Sequence, residues 1–382
     1  MDLVDSDKGG IGALPQVPAE PVVDKLETDA DGGELFGIHV VSFFLTLITL
    51  GIYRFWWKTR VRRYMLSHVR YKDDAFEYTG TGLELFVGFI IVFIAVLVPI
   101  GAIYAGGFWL LQNGREILGG ILLAVLYLSF IVLFGAAIYR AYKYRLSRTM
   151  WRGIRFGLSG SSIGYSIRFI LYTLLQVVTL WLATPFVTIR LYHYMLNNVW
   201  LGSGQLHFST DWKPLFKIYL VPGLVFGVGM LVFVGGYVDM TLAEIDMAEA
   251  LDAGDNAGYT TALDQLQRSL VLIGVGLVLF LAGTIALFWY QAAVYRAVLA
   301  GCTFEGVAFS GQLTGGRFFK FNLFNWFILI FSFGLAYPWV QVRWLNLMAE
   351  VVEIRGEPDF ARISQSTADM PKFGEGLAEA FL

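Results

Sequence analysis

Residues 42–66 of this chain, SFFLTLITLGIYRFWWKTRVRRYML, return twice in diverged form. A shift of 130 without a gap pairs Leu45/Leu175, Thr49/Thr179, Leu50/Leu180, Arg60/Arg190, Tyr64/Tyr194 and Met65/Met195. A shift of 283 pairs Gly51/Gly334, Trp56/Trp339, Arg60/Arg343 and Met65/Met348, so one arginine stands at the same register three times. A chain that repeats a unit builds its architecture from that unit, which makes the repeat the first constraint on the fold.

The repeated unit is apolar, and so is the chain around it. Over 382 residues, 57% are hydrophobic and 15% charged, with a mean hydropathy of +0.61. Soluble globular domains carry a charged fraction of about 25%, so the composition predicts a polytopic membrane protein. Residues 85–111, 117–139, 218–238 and 269–295 form uncharged or nearly uncharged runs, long enough to cross about 30 Å of hydrocarbon. The repeats add shorter runs near 36–50, 167–183 and 321–335. Residues 1–33 carry eight acids against two lysines and no apolar core, which predicts a disordered acidic tail and no signal peptide. A lone cysteine, Cys302, leaves no intrachain disulfide and no multi-cysteine metal site.

Loop charge sets the expected orientation. Residues 58–72 hold six lysines and arginines, and 140–168 hold seven with no acid, whereas 239–267 hold seven acids and no base. If all seven apolar runs crossed, the acidic loop would fall on the basic side. The conflict disappears when each repeated segment enters and leaves on the cytoplasmic side, as a short helix, a break and a returning helix. Glycine and proline interrupt helices, and they place the breaks at Gly51, Pro185, Gly334 and Pro338. Irregular backbone at that depth is expected to be buried in protein or to line a wet cavity. The competing reading is a kinked spanning helix. The re-entrant reading puts both termini, 58–84, 140–166 and 186–217 on the cytoplasmic side, with 112–116 and 239–268 outside. Pro99 and Pro222 are expected to kink their crossings.

Each returning helix feeds a short β-prone stretch. These are 68–80 around Asp73-Asp74, 151–156, 198–210 turning at Gly202-Ser203-Gly204, 304–309, and a weaker one at 351–363. Isolated hairpins are marginal in water, so the five units are expected to pack together. The predicted fold is a mainly α polytopic membrane protein: a tandem parallel repeat of a re-entrant hairpin plus two transmembrane helices, a third hairpin at the C-terminus, and small cytoplasmic β-hairpin units. The corresponding divisions are 1–33, a first membrane repeat at 34–160, a second at 161–311, a third half-repeat at 312–355, and a C-terminal tail at 356–382.

Candidate binding residues follow from the repeat. Arg60, Arg190 and Arg343 lie about nine residues past the break, roughly 13 Å along a helix. There they either snorkel to lipid phosphates or gather into a cluster for an anionic headgroup or solute. Trp56 and Trp339 belong to a crowd of aromatics that reads as interfacial anchoring or as the wall of an acyl pocket. His39, His68, His193 and His207 lack metal-ligand spacing, so no metal or other cofactor is expected. Gly80-Thr81-Gly82 and Gly202-Ser203-Gly204 read as loop punctuation that does not open a helix after a strand. No catalytic frame of serine, cysteine or acid is recognisable, so the chain is read as a non-enzyme with no nucleic-acid partner.

The stretch 45–89 resembles the signature of the YjgN family, bacterial inner-membrane proteins classed as a domain of unknown function. The resemblance is carried by Leu50-Gly51-Ile52-Tyr53, Phe55-Trp56, Lys58, Arg60, Arg62-Arg63-Tyr64, Phe76, Tyr78, Gly80-Thr81-Gly82 and Glu84-Leu85-Phe86. Ala336-Tyr337-Pro338-Trp339 with Val342-Arg343 resembles a later element of the same signature. Trp57 departs from the usual alanine, and the second copy has lost most of the basic cluster. The resemblance implies a multi-pass inner-membrane location and carries no activity with it. Membrane lipids and a small anionic ligand are the expected partners. The leading functional expectation is binding or translocation of an anionic or amphipathic ligand; alternatively the β units dock a cytosolic partner and the membrane hairpins anchor them.

Overall fold

A computed structural model describes residues 23–356 and 363–364. Among the described residues, five helical hairpins alternate with five β units. Three hairpins are short: α1 (Gly32–Ile48) with α2 (Arg54–Ser67), α6 (Ser162–Val178) with α7 (Thr184–Leu196), and α10 (Gly315–Phe331) with α11 (Tyr337–Val351). Two are long. In the first, α3 (Gly82–Val92), a π-helical turn (Phe93–Leu97) and α4 (Val98–Gln112) rise as one helical arm and α5 (Glu116–Ser147) returns. In the second, α8 (Lys213–Ala253) pairs with α9 (Asn256–Gly301).

Helix starts are written in the sequence. The side chains of Asp31, Thr81, Ser161 and Thr314 accept the first free amides of α1, α3, α6 and α10, the usual N-cap chemistry. Prolines occupy the first turns of α7, α8 and α11, where the missing N–H costs no hydrogen bond; Pro99 instead lies inside the continuous α3–α4 arm. It follows the π-helical turn there, while Pro222 lies inside α8 without ending it.

The three short hairpins share one turn geometry. Leu50-Gly51, Leu180-Trp181 and Phe333-Gly334 are consecutive residues with positive φ. In each pair the second N–H reaches back five residues, Gly51 to Thr46 O at 2.7 Å, Trp181 to Gln176 O at 2.7 Å and Gly334 to Leu329 O at 2.8 Å. A hydroxyl then serves the next helix: Thr49 Oγ1 accepts from Tyr53 N–H at 2.9 Å, Thr179 Oγ1 from Ala183 N–H at 3.2 Å, and Ser332 Oγ from Ala336 N–H at 3.1 Å. Gly51 and Gly334 therefore sit at breaks as expected. Pro185 and Pro338 do not: both lie in the first turn of the returning helix, and the second break falls at Leu180-Trp181, where two bulky residues take the left-handed conformation. The expectation that the breaks are sheltered in protein also fails. Leu50 is 95% exposed and Phe333 96%, because the turn satisfies its own amides and needs neither water nor neighbours.

The hairpins close at their bases. Tyr64 Oη on α2 donates to Asp31 O at 3.0 Å and accepts from Asp31 N–H at 2.9 Å, so the end of α2 returns to the start of α1. Tyr194 repeats the clamp on Ser161 at 2.9 and 3.2 Å. In the third hairpin Leu347 replaces the tyrosine, and an Arg317–Glu350 ion pair ties the two ends.

The β units form one sheet rather than separate hairpins. Its strands are β1 (Val23–Lys25), β2 (Glu27–Thr28), β3 (Val69–Tyr71), β4 (Asp74–Tyr78), β5 (Thr149–Trp151), β6 (Ile154–Leu158), β7 (Val199–Leu201), β8 (Gly204–Phe208), β9 (Cys302–Phe304), β10 (Val307–Gly311) and β11 (Val352–Arg355). The order β1-β11-β10-β9-β8-β7-β6-β5-β4-β3-β2 is antiparallel at every pairing. Its two edge strands are neighbours in the chain, so the sheet curls into a nearly closed barrel. Two-residue turns with positive φ at Lys72-Asp73, Arg152-Gly153 and Glu305-Gly306, and at Gly202 in the fourth, match the twist of the strands they join. Residues 23–28 of the expected disordered tail supply both edge strands, residues 29–33 lead into and begin α1, and residues 1–22 lie outside the described residues. The unit at 351–363 is likewise not a hairpin, because β11 pairs with β1 and β10. Of the expected C-terminal tail, Gly356 and residues 363–364 are described, and the rest falls outside.

Along each strand alternate residues face inward, as in β6 with Ile154, Phe156 and Leu158 and in β11 with Val352 and Ile354. Near the turns Tyr71, Trp151, Leu201, Val307 and Ile354 pack into a buried cluster. A cavity of about 320 Å³ lies within the barrel.

The helices form a ring above the barrel. Each packs on the elements before and after it, and α11 closes on α1. Three of these junctions use a tryptophan against a glycine that starts a helix: Trp56 covers Gly82, Trp289 covers Gly315, and Trp339 covers Gly32 across the closure. The last hairpin thus meets the first in the manner of an internal junction.

The longest pair departs most from expectation. Residues 239–268, read as an outer loop, are helical up to Ala253 and again from Asn256. At 1.5 Å per residue, 41 and 46 residues give helices of roughly 60 and 70 Å. Small residues hold them together at intervals of seven, Gly229, Gly236, Ala243 and Ala250 on α8 and Ala262, Ser269, Gly276 and Gly283 on α9, all buried. A Cβ on Gly236 would lie 3.0 Å from the Ile273 amide nitrogen. Close backbone approach through small residues is the usual basis of helix pairing in lipid.

Candidate anion-binding cleft

At the base of the third hairpin, Arg317, Lys320, Phe321, Arg343, Asn346, Leu347 and Glu350 line an open cleft of about 390 Å³. The N-cap at Thr314 starts α10, so Arg317 and Lys320, three residues apart, fall on one face of its first turns. Arg343 and Asn346 face them from α11 by the same spacing. Arg343 is fixed in place: its Nε donates to Asn325 Oδ1 at 2.9 Å, and its guanidinium lies 4.6 Å from the Phe324 ring centroid and 5.6 Å from that of Phe321. Asn325 is buried. Glu350 is engaged by Arg317, which leaves a surplus of positive charge on the cleft. Guanidinium groups held this way offer the forked donors that suit phosphate and carboxylate.

The other sequence-predicted residues have different surroundings. Arg60 is exposed on α2. Arg190, exposed on α7, lies 5.3 Å from the Phe186 ring centroid. In the ring order the α3–α5 arm separates the first hairpin from the second, and α8–α9 separates the second from the third, so the three arginines belong to three separate hairpins. Trp56 stacks on Tyr53 with centroids 6.2 Å apart and packs on Phe86 at 5.9 Å; Trp339 packs on Phe36 at 4.9 Å. Both indoles are occupied as wedges over the glycines of the next helix.

Gly80-Thr81-Gly82, read as loop punctuation, does follow a strand and open a helix. Thr81 Oγ1 accepts from Glu84 N–H at 3.3 Å, while Glu84 takes a hydrogen bond from Tyr144 at 2.8 Å and an ion pair from Arg148 at 3.0 Å. The motif therefore joins barrel, α3 and α5. His39 Nδ1 donates to Leu35 O at 2.9 Å, and its ring lies edge-on to Trp57. Arg317 and Lys320 were missed in the sequence reading because neither recurs among the repeats; their i, i+3 spacing just after a threonine cap was the available signal.

A family model described as "Bacterial protein of unknown function (DUF898)" matches residues 25–380. The chain belongs to this family. Among curated proteins, the DUF898 chain is 27% identical over 212 residues to Inner membrane protein YjgN of Salmonella typhimurium strain LT2, covering 54% of this chain and 47% of the relative. The proteins of the same name from Escherichia coli O157:H7 and strain K12 are 26% identical over 193 residues and 28% over 137. The matched region spans less than half of each relative's length. These similarities bear out the YjgN resemblance and support an inner-membrane location. No solved structure matches.

Proposed function

We propose that this protein is a non-enzymatic, multi-pass inner-membrane protein that binds an anionic amphiphile, with the headgroup held in the cleft of Arg317, Lys320 and Arg343. The observation that carries the reading is that cleft: three cations, one acid, and a guanidinium already oriented by a buried asparagine and two rings. Basic pockets at the cytoplasmic ends of membrane helices are suited to lipid headgroups. The proposed setting places the barrel in the cytoplasm, the short hairpins re-entrant in the inner leaflet, and the four long arms across the bilayer. It is supported by the length and apolar character of α8 and α9, by the base-rich segments beside the barrel, and by the acids concentrated at the far end of α8–α9. The scaffold alternative has less support, because the β units spend their edges on one another.

Binding is tested on the purified protein by native mass spectrometry of lipid retained from mixed micelles of phosphatidylglycerol and phosphatidylcholine. At about 1 kcal/mol per surface cation, Arg343→Ala and Arg317→Ala should each lower phosphatidylglycerol retention roughly fivefold, and Arg60→Ala should leave it unchanged. Equal retention in all three variants removes the cleft as the site.

A further inference from the structure

We infer that the barrel cavity is a binding site for a single hydrocarbon chain of acyl type, entering from the side of the helix ring. Its walls are apolar side chains from every β unit, Phe76, Phe156, Leu206, Phe309 and Val352 among them. Among the lining residues Tyr71 Oη donates to Asp24 Oδ2 at 3.4 Å and Trp151 Nε1 to the Asp74 carbonyl at 3.2 Å, and no polar atom of the lining is exposed to the cavity. A polar ligand would find no partner inside, and ordered water needs two to four of them. A hydrocarbon needs none.

Size narrows the class further. About 320 Å³ sits at the small end of ligand pockets, enough for part of one chain and too little for a whole phospholipid, so any headgroup stays outside. Direction follows from burial. The turn end is shut by the cluster of Tyr71, Trp151 and their neighbours, and Ile363, itself buried, sits beyond it against Ile154 at the Gly202 turn. The residues that remain half-exposed to the cavity, Phe76, Phe156, Leu206 and Phe309, are one step nearer the helices. The way in therefore faces the apolar helix ring and its lipid. The inference is independent of the basic cleft, since it asks nothing of the headgroup.

The test uses the full chain in phosphatidylcholine nanodiscs doped either with phosphatidylcholine bearing a diazirine at the end of one chain, or with a free fatty acid bearing the same group. After irradiation the adducts are mapped by peptide sequencing. Adducts on the strands carrying Phe76, Phe156 and Phe309 are expected. Leu206→Trp, which fills the cavity, should reduce them at least fivefold while adducts on the lipid-facing side of α8 stay constant. Val352→Phe provides the same test should the first variant fail to fold. Barrel adducts from the phospholipid probe identify a membrane lipid chain as the occupant, and adducts from the fatty-acid probe alone identify a free acid. With a zwitterionic lipid, barrel labelling stands whether or not the anionic cleft does. Adducts confined to the helices with both probes, or barrel adducts undiminished in a folded filled variant, overturn the inference.

Discussion

At the scale of single residues, the chain spends its charged groups on joints between elements. Glu84 is one: it lies in the first turn of α3 and receives Tyr144 and Arg148 from α5. Replacing it with alanine removes the acceptor of the part-buried Tyr144 hydroxyl and one partner of the Arg148 guanidinium. Hydrogen bonds to charged groups contribute about 1.5–3 kcal/mol, so Glu84→Ala should lower the unfolding midpoint measurably in detergent, whereas Glu77→Ala on the exposed face of the preceding strand β4 should not. Glu353 is a second joint. Its carboxylate accepts from Ser310 at 3.0 Å, Gln312 at 2.7 Å and Arg355 at 3.1 Å, and it pairs in register with Lys25 of β1. The hydrogen bond from Ser310, then that from Arg355, hold its carboxyl below the ordinary value of 4.5. Because the folded form then keeps its charge to lower pH than the unfolded form, the stabilisation is complete above the ordinary carboxylate range. It is lost as pH falls through the lowered value. Thermal scans from pH 6 to pH 3 should show an acid limb that Glu353→Gln flattens; parallel curves for the two proteins would exclude Glu353 as its source. Cys302 behaves in the opposite sense. Burial raises its thiol to about 11, so the neutral form prevails in the folded chain at pH 8 and alkylation there should proceed only on unfolding.

Elements were legible where their ends carry local chemistry. The breaks at Gly51 and Gly334 and the strand turn at Gly202 rest on glycines that favour positive φ, whereas the cap at Thr81 went unread inside a stretch taken for loop punctuation. Leu180-Trp181 carries no such mark. It adopts the same turn because Thr179 and Gln176 supply the same acceptors, and the nearby Pro185 drew the predicted break four residues too far. The acidic end of α8–α9 was misread for a related reason: its charges ended the apolar run, although the seven-residue spacing of small residues continued from Gly229 to Ala250 and from Ala262 to Gly283. Both elements give predictions. Thr49→Val and Thr179→Val each remove the acceptor of a tip amide, Tyr53 N–H and Ala183 N–H. With the tips in lipid, as proposed, no water would replace it, so each variant should cost about 1–3 kcal/mol, and Thr→Ser should restore most of the loss. On the long pair, Gly236→Leu should separate the helices and lower the melting temperature, while Gly235→Leu, with open space around it, should be tolerated.

For the whole molecule, strand order and ring closure were the hardest to read, because they depend on contacts between residues more than 300 positions apart. Nothing local in Val23–Lys25 says that it will pair with Val352–Arg355, and nothing local in Gly32 says that Trp339 will cover it. Yet that closure constrains the proposed topology. It ties both ends of the described chain to the barrel, so the barrel and its edge strands must share one side of the membrane. The α8–α9 pair is roughly 60–70 Å long, about twice the 30 Å of hydrocarbon, and in the proposed setting its acidic end emerges on the other side. The short hairpins reach only 17 residues before turning, roughly 25 Å, and end on apolar tips. Single cysteines in a Cys302→Ser background should therefore fall into three classes with an impermeant maleimide. Gly254→Cys should be labelled in intact spheroplasts, Glu305→Cys only after the membrane is opened, and Leu50→Cys and Phe333→Cys from neither side. Labelling of Leu50→Cys in intact spheroplasts would make the first hairpin a spanning pair. Two crossings return the chain to the side it left, so the barrel would keep its assigned side unless Glu305→Cys were labelled there too.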